Sequence, residues 1–323
     1  MKVLVTGVAG YIGSVLTNKL LDKGFEVIGI DNLLYGGESL LSIYNHPNFK
    51  FYKKDIRNIE TIVSLLNEID AVIHLAAIVG DPACAKQPQL AISTNLDGSI
   101  NLLKAANNSY SVKNFIFAST CSNYGKMEGN SYVTEESPLK PVSLYAELKV
   151  KFEEIMLDGE YHKNFCPTAL RFATAYGISP RMRFDLTVNE FTKDAALGRE
   201  LTIFGEQFWR PYCNVEDIAN ACILVLESEP DKVYKNVFNV GDTRENYQKK
   251  MLAEELKKLI PDLKIKYVKK DEDPRDYKVS FEKIKNVLGF QITKTVPQGM
   301  EEIIRVIKDN IISDPDNSRY SNI

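Results

Sequence analysis

The sequence predicts an α/β fold: a doubly wound parallel sheet with a smaller mixed α/β domain after it. Two observations carry this. Short apolar runs that read as buried strands alternate with stretches of helical period from the N-terminus to about residue 175. That alternation is the pattern of a parallel sheet covered by helices on both faces. Beyond residue 175 the regularity fades into a mixture of shorter elements. Residues 1–175 are thus read as one domain and 176–323 as a second, with the chain returning to the first around 212–241. Gly7, Asp31, Ala76 and Thr120 all fall at predicted strand ends, and ligands of such sheets bind outside the carboxyl ends of the strands.

Val3-Leu4-Val5 is the first strand, and Gly7, Gly10 and Gly13 follow it directly. Ile12 to Leu21 then carries apolar residues at helical spacing. Strand, glycine turn and helix form the context of a Rossmann dinucleotide fingerprint. The first glycine permits the tight turn, the second lets the backbone approach a pyrophosphate, and the third lets helix and strand pack closely. Tyr11 and Ile12 stand at the helix N-terminus, whose N–H groups face such phosphates. The next strand, Val27-Ile28-Gly29-Ile30, ends at Asp31, with Asn32 after it. An acidic residue there meets the ribose hydroxyls of NAD and would repel a 2′-phosphate, so NAD is expected rather than NADP.

A short helix and a strand near Phe49–Tyr52 lead to Asp55 and Ile56. Asp55 has two readings, adenine recognition and an N-cap for a helix starting near Ile59. Ala71 to Ala77 is a buried strand ending in small residues, with Leu75, Ala76 and Ala77 passing beneath a cofactor and His74 read as a structural group. Asn95 to Ala106 is predicted as one long helix opened by Asn95. Phe115-Ile116-Phe117-Ala118 is the next strand, followed by Ser119, Thr120, Cys121 and Ser122. A helix from about Leu144 to Leu157 and a strand at Ala169–Phe172 close the first domain. Beyond it, helices are predicted near Leu186–Leu197, Asn246–Leu259 and Val296–Lys308, with strands at Leu201–Phe204 and Val237–Gly241. The segment from Ser313 to Ile323 is polar and read as frayed.

The 323 residues are 44% hydrophobic and 26% charged, with net charge −3. That balance argues against nucleic acid or an anionic membrane as partner. No apolar run approaches the ~18 residues of a membrane span. The first strand begins at once, which is read as leaving no room for a signal peptide and as a cytoplasmic location. Five scattered cysteines with no C-x-x-C pair are expected to be reduced thiols, with no metal site.

Tyr145 and Lys149 stand at i, i+4 on one face of their helix. A phenol near its ordinary pKa of about 10 is a poor base at neutral pH. An ammonium one turn away and the positive charge of an oxidised nicotinamide both favour phenolate. Such a tyrosine takes the proton from a sugar hydroxyl while hydride leaves the same carbon. Thr120 can hydrogen-bond the same oxygen, and Lys149 can hold the nicotinamide ribose. A lone tyrosine–lysine pair of this spacing usually marks an exposed helix face. Here it gains meaning by following a fingerprint and a hydroxyl-bearing strand end.

These residues together resemble an extended short-chain dehydrogenase/reductase of the nucleotide-sugar epimerase/dehydratase family. The resemblance runs through Gly7/Gly10/Gly13, Asp31, His74–Ala77, Asn95, Ser119-Thr120, Tyr124-Gly125, Tyr145 and Lys149. It continues through Arg210-Pro211-Tyr212, Val215-Glu216-Asp217, Arg275-Asp276 and Leu288-Gly289-Phe290, nearly the whole chain. It implies catalysis by Thr120, Tyr145 and Lys149, with Asn95 and Ser119 joining the cofactor-binding residues named above. It also implies a nucleotide-diphosphate sugar, with Arg210 and Arg275 on the diphosphate, where a guanidinium fork suits phosphate. Cys121, Ser122, Thr174 and Asn189 are placed near the sugar. A homodimer is implied, through the Asn95–Ala106 and Leu144–Leu157 helices.

Departures from the family narrow the expected reaction. Cys121 and Ser122 replace the Asp-Glu pair of sugar dehydratases, and no histidine lies where fucose-synthase-like members need one. Thr174 replaces the asparagine of galactose epimerases. Arg181 and Arg183, in the idiosyncratic stretch 177–186, could meet a phosphate, a carboxylate or hydroxyls, or belong to a solvated loop. A similar stretch occurs in bacterial enzymes that oxidise C4 of a GDP-linked heptose. The expected activity is 4-epimerisation through a 4-keto intermediate. The alternatives are a net C4 dehydrogenase with the same residues and a non-catalytic NAD-binding sensor.

Overall fold

In the computed structural model, residues 1–126, 131–269 and 275–322 are described. Strand β1 (Lys2–Thr6) runs straight into Gly7, and helix α1 (Tyr11–Asp22) follows the glycine turn. The next strands are β2 (Glu26–Asp31), β3 (Phe49–Lys53), β4 (Ala71–His74) and β5 (Asn114–Thr120). They join Cys166–Phe172 and Asn236–Val240 in a seven-stranded parallel sheet. Its spatial order is 236–240, 166–172, β5, β4, β1, β2, β3. Chain order reverses beside β1, so a crevice opens between β1 and β4, where a doubly wound sheet takes its ligand.

The period-2 alternation of buried strands sorts side chains between two cores. Val3, Val5 and Ile73 face α1 and the Val215–Leu226 helix, whereas Leu4, Val72 and Phe117 face Leu102, Phe152 and Met156. A third core gathers Tyr176, Val188, Ile203, Tyr212, Leu252 and Met300 from the second half. There, 174–176, 209–214 and 246–248 form a three-stranded sheet, and 201–204 pairs with 265–268.

Several elements differ from the sequence reading. Only a 3-10 turn, Glu38–Leu40, stands where a short helix was expected. Asp55 caps no helix: its carboxylate accepts the Arg57 backbone N–H (2.9 Å) and pairs with the Arg57 side chain. Asn95 opens no helix either. The helical path begins at Pro88–Ile92, widens into a π turn at Ser93–Gly98 and continues as Ser99–Asn108, so Asn95 lies inside it. Asn246–Gln248 is strand, and the helix starts at Lys249.

The tail is packed rather than frayed. The Phe184 N–H donates to the Tyr320 carbonyl (2.8 Å), Asn322 N–H to Asp185 (3.1 Å), and Asp316 pairs with Lys193 and Arg199. Ile323 lies outside the described residues.

His74 is structural. Its Nδ1 shares a hydrogen with the Thr6 hydroxyl (2.7 Å) and its Nε2 with the Ser99 hydroxyl (2.8 Å). Burial, with Lys149 adding to it, pushes the imidazole down to about 3. Between that value and the ordinary 6.5, the unfolded chain binds a proton that the native chain does not. This group's contribution to stability therefore falls as pH falls from 6.5 towards 3, by up to about 1.4 kcal/mol per pH unit. Urea titrations at stepped pH should give a steeper acid loss for the native sequence than for His74→Gln; equal slopes would remove His74 from the account.

Candidate active site

Gly7 has φ +74°, and a Cβ there would stand 2.8 Å from the Ala76 nitrogen. A Cβ on Gly13 would stand 2.1 Å from the Gly7 carbonyl oxygen. Side chains at either position would fill the cradle, so its backbone stays open to a phosphate. Thr6 Oγ1 accepts the Leu75 and Ala76 N–H groups (3.2 and 3.1 Å), fixing the small-residue strand end opposite the cradle.

Asp31 closes the next strand. Its carboxylate accepts the N–H groups of Ala9 (3.1 Å) and Leu33 (2.8 Å). Burial raises its pKa, while those two donors and the nearby Arg181 favour the charged form. Asp55 is held low, to about 2, chiefly by its hydrogen bonds with Arg57. The geometry and chemistry of this donor set fit a dinucleotide: glycine cradle, helix N-terminus and ribose-side carboxylate.

One cavity of about 490 Å³ runs past all of these groups and continues to Ser119, Thr120, Tyr145 and Lys149. The Leu144–Asp158 helix is N-capped by Ser143, whose hydroxyl accepts the Ala146 N–H (3.3 Å) and donates to Asp81 (2.6 Å). Tyr145 stands in its first turn, half-buried against the cavity. Burial raises its phenol; Cys84 and Asp81 add to this, whereas Arg183 and a hydrogen bond with Thr120 favour phenolate. Lys149 Nζ lies 5.9 Å from the Tyr145 ring centroid, and Arg183 is a second cation that favours the phenolate. Lys149 is buried, donates to the Ala118 carbonyl (2.6 Å) and lies 4.6 Å above the Phe117 ring. Burial pushes its ammonium down to about 8.

Of the residues singled out from sequence, Gly7, Gly10, Tyr11, Ile12, Gly13, Asp31, Asn32, Asp55, Ile56, Leu75, Ala76 and Ala77 line this cavity. So do Ser119, Thr120, Ser122, Tyr145, Lys149, Thr174, Arg181, Arg183 and Arg275. Four do not. Asn95 is turned to the Ile78 backbone, accepting its N–H (2.8 Å) and donating to its carbonyl (2.9 Å). The Cys121 thiol donates to the Arg171 carbonyl (3.2 Å), and its burial raises its pKa well above the ordinary thiol range. Asn189 lies beneath the 177–183 loop, accepting the Gly177 N–H (2.9 Å) and donating to the Arg183 carbonyl (2.8 Å). Arg210 stacks 5.3 Å from Tyr277, which itself lines the cavity.

Arg183 is engaged by Asp185 through two hydrogen bonds of 2.9 and 2.7 Å, and Arg275 pairs with Asp81 (2.9 Å). Sequence reasoning missed Tyr35, Asp81, Asp185, Tyr277 and Asn322, all of which line the cavity. It also missed Glu153. This carboxylate sits one turn beyond Lys149, accepts the Ser119 hydroxyl and binds the Arg171 guanidinium (Nε to Oε1, 3.0 Å). A carboxylate at i+4 on a predicted buried helix face was the available signal.

No group of three or more potential metal ligands is present among the described residues, and no helix there is long and apolar enough to cross a membrane. All five cysteines are buried free thiols.

A seven-stranded Rossmann sheet whose dinucleotide cradle opens onto a tyrosine and lysine one helical turn apart defines an extended short-chain dehydrogenase/reductase. The chain belongs to the NAD dependent epimerase/dehydratase family, whose model matches residues 3–241. It is 32% identical over 315 residues to a UDP-glucose 4-epimerase of Lactobacillus helveticus, covering 90% of this chain and 92% of that one. Its fold is similar to a UDP-glucose 4-epimerase of Thermotoga maritima solved with UDP-glucose, with TM-score 0.84, 29% identity and coverage of 96% and 100%. A UDP-glucuronic acid 4-epimerase of Bacillus cereus, solved with UDP-glucuronic acid and NAD, gives TM-score 0.84, 29% identity and coverage of 96% and 99%. The protein is an enzyme of this NAD-dependent family.

The Arg171–Glu153 pair yields a stability prediction. Arg171→Met strands a buried carboxylate and should cost about 3–5 kcal/mol, whereas joining it to Glu153→Leu should recover part of that loss. Urea unfolding of the single and double variants checks both; a double variant less stable than Arg171→Met would contradict the pairing.

Proposed function

We propose that the protein is a nucleotide-sugar 4-epimerase, acting through a transient 4-keto sugar. The observation that carries this reading is the convergence of Thr120, Tyr145 and Lys149 on the cavity that also holds the glycine cradle and Asp31. When bound, NAD supplies the hydride acceptor and donor that no side chain can provide. Asp31 and the cradle hold its ribose and phosphates, and Lys149 orients the nicotinamide end. Tyr145 takes the C4 hydroxyl proton, Thr120 fixes that oxygen by hydrogen bonding, and Tyr145 later returns the proton.

The 4-keto sugar would turn within the cavity between the two proton transfers, presenting the opposite face of C4 to the hydride that bound NAD would carry, and Tyr145 would return the proton to the same oxygen. Arg275 holds the substrate diphosphate, Arg210 supports Tyr277 from outside the cavity lining, and Ser122, Thr174 and Arg183 stand on the sugar side. Dehydration is disfavoured by the acid–base chemistry: Cys121 is turned into the core, and Ser122 offers only a hydroxyl. The epimerases solved with UDP-glucose and UDP-glucuronic acid make UDP-linked hexoses the first substrates to try. We extend the proposal to a cytoplasmic homodimer pairing through the Ser99–Asn108 and Leu144–Asp158 helices.

Proton NMR of the purified protein with UDP-, GDP- and dTDP-hexoses, then a GDP-heptose, and no added NAD, should show a second epimer growing to a constant ratio. A trace of 4-keto product that stops at one equivalent would replace this reading with net C4 dehydrogenation. Tyr145→Phe should lower turnover at least 10³-fold, within the ~10²–10⁴-fold range typical of a general acid–base group, while NAD content is retained. An active Tyr145→Phe protein would sink the assignment of the base.

A further inference from the structure

Arg181 is enclosed yet incompletely bonded. It is 8% exposed, and its Nε and Nη1 are buried without a hydrogen-bond partner among the described residues. Only Nη2 donates, to the Ser321 carbonyl in the C-terminal tail (3.2 Å). The guanidinium lies 4.9 Å from the Tyr35 ring centroid. Burial lowers its pKa, with Arg183 adding to the effect and Asp185, Tyr35 and Asp31 opposing it. A buried cation with open donors is costly unless an anion completes it.

Its surroundings identify that anion. The Arg181 N–H donates to Ser179 Oγ (3.2 Å), and Ser179 donates to the Tyr11 carbonyl (2.7 Å), which pins the loop to the first turn of α1. That turn is where a dinucleotide pyrophosphate meets backbone N–H groups. On its other side, Arg181 acts on the Asp31 carboxylate at the ribose end. The open guanidinium thus lines the same cavity as the Asp31 carboxylate and the first turn of α1, to which its loop is tied through Ser179. Arg183, two residues on, is already engaged by Asp185 and acts on Tyr145 instead.

We propose that Arg181 clamps the pyrophosphate of the bound cofactor with Nε and Nη1, and that the tail, residues 313–322, straps the clamp in place. The tail is suited to this. Tyr320 packs edge-on against Phe184 (5.7 Å) and accepts the Phe184 N–H, Asn322 holds Asp185, and Asp316 anchors the strap to Lys193 and Arg199. A second cavity of about 560 Å³ lies under residues 317–322 and shares Tyr35, Arg181 and Asn322 with the first. Leu34, Ile78 and Ala83 also line both cavities, and on this proposal loosening Arg181 or the tail frees the cofactor. The inference rests on reading the main cavity as the NAD site.

The test uses the holoprotein as purified, diluted so that release of bound NAD can be timed, with UDP-sugar binding measured in parallel. Arg181→Met should release NAD at least tenfold faster and leave UDP-sugar affinity within twofold. Arg181→Lys, which keeps the charge but not the fork, should fall between. A chain ending at Asn317 keeps the Asp316 ion pairs and should also release NAD faster. Combining it with Arg181→Met should add little, because the strap works through that side chain. Melting temperatures separate these effects from a fold defect. Wild-type release rates in Arg181→Met would overturn the clamp, as would weakened UDP-sugar binding with unchanged NAD release. Absence of bound NAD in the wild-type protein would remove the cavity reading and the clamp together.

Discussion

The active-site wall depends on the buried ion pair between Arg171 and Glu153. Arg171 belongs to the Cys166–Phe172 strand and Glu153 to the helix that carries Tyr145 and Lys149, so the pair sets the helix against the strand ends. Glu153 also accepts the Ser119 hydroxyl at the end of β5. Arg171 reaches the Tyr124 hydroxyl (2.9 Å), which donates to Asn239 in the adjacent strand (2.7 Å). Three strand ends and one helix are thereby fixed by a single set of hydrogen bonds. Burial opposes the Arg171 charge, but Glu153 more than offsets it and holds the guanidinium firmly protonated. Such a pair adds little net stability over an apolar replacement. Its effect here is orientation: Ser119, Thr120 and Lys149 can occupy only the positions this lattice allows.

The parallel sheet was legible because its signal is local. A buried strand must be apolar along its length, and Val3–Val5, Ala71–Ile73 and Phe115–Ala118 are. The glycine cradle was legible for a similar reason, since Gly7 and Gly13 are positions where a Cβ collides with backbone. What escaped notice depends on partners distant in sequence. Asn95 looked like a helix opener, but its amide is spent on the Ile78 backbone, 17 residues away. Cys121 was placed with the sugar, but it opens a 3-10 turn and its thiol is spent on the Arg171 carbonyl, 50 residues away.

The tail shows a different limit. Its composition, rich in Asp, Asn and Ser, reads as disorder because it offers few apolar side chains to bury. Its docking joins main-chain groups, the Tyr320 and Ser321 carbonyls and the Asn322 N–H, to the Asp316 ion pairs and the Tyr320 ring on Phe184. Main-chain donors and acceptors are the same in every sequence. No residue pattern can report where they will be used, so that part of the docking is invisible to composition and periodicity alike.

Burial acts on both members of the tyrosine–lysine pair. Burial holds the Tyr145 phenol protonated and pushes the Lys149 ammonium down to about 8. Lys149 Nζ lies 5.9 Å from the Tyr145 ring centroid, and Arg183, itself paired with Asp185, also favours the phenolate. On the proposed reading, Tyr145 is therefore a base only beside a further positive charge, which an oxidised nicotinamide carries and a reduced one does not. With the cofactor reduced that charge would be gone, and burial would then favour the protonated phenol. That proton is then still in place when the keto oxygen needs it back. The same burial that makes Tyr145 a poor base in isolation thus ties proton transfer to the redox state of the cavity, as a reversible reaction at one carbon requires.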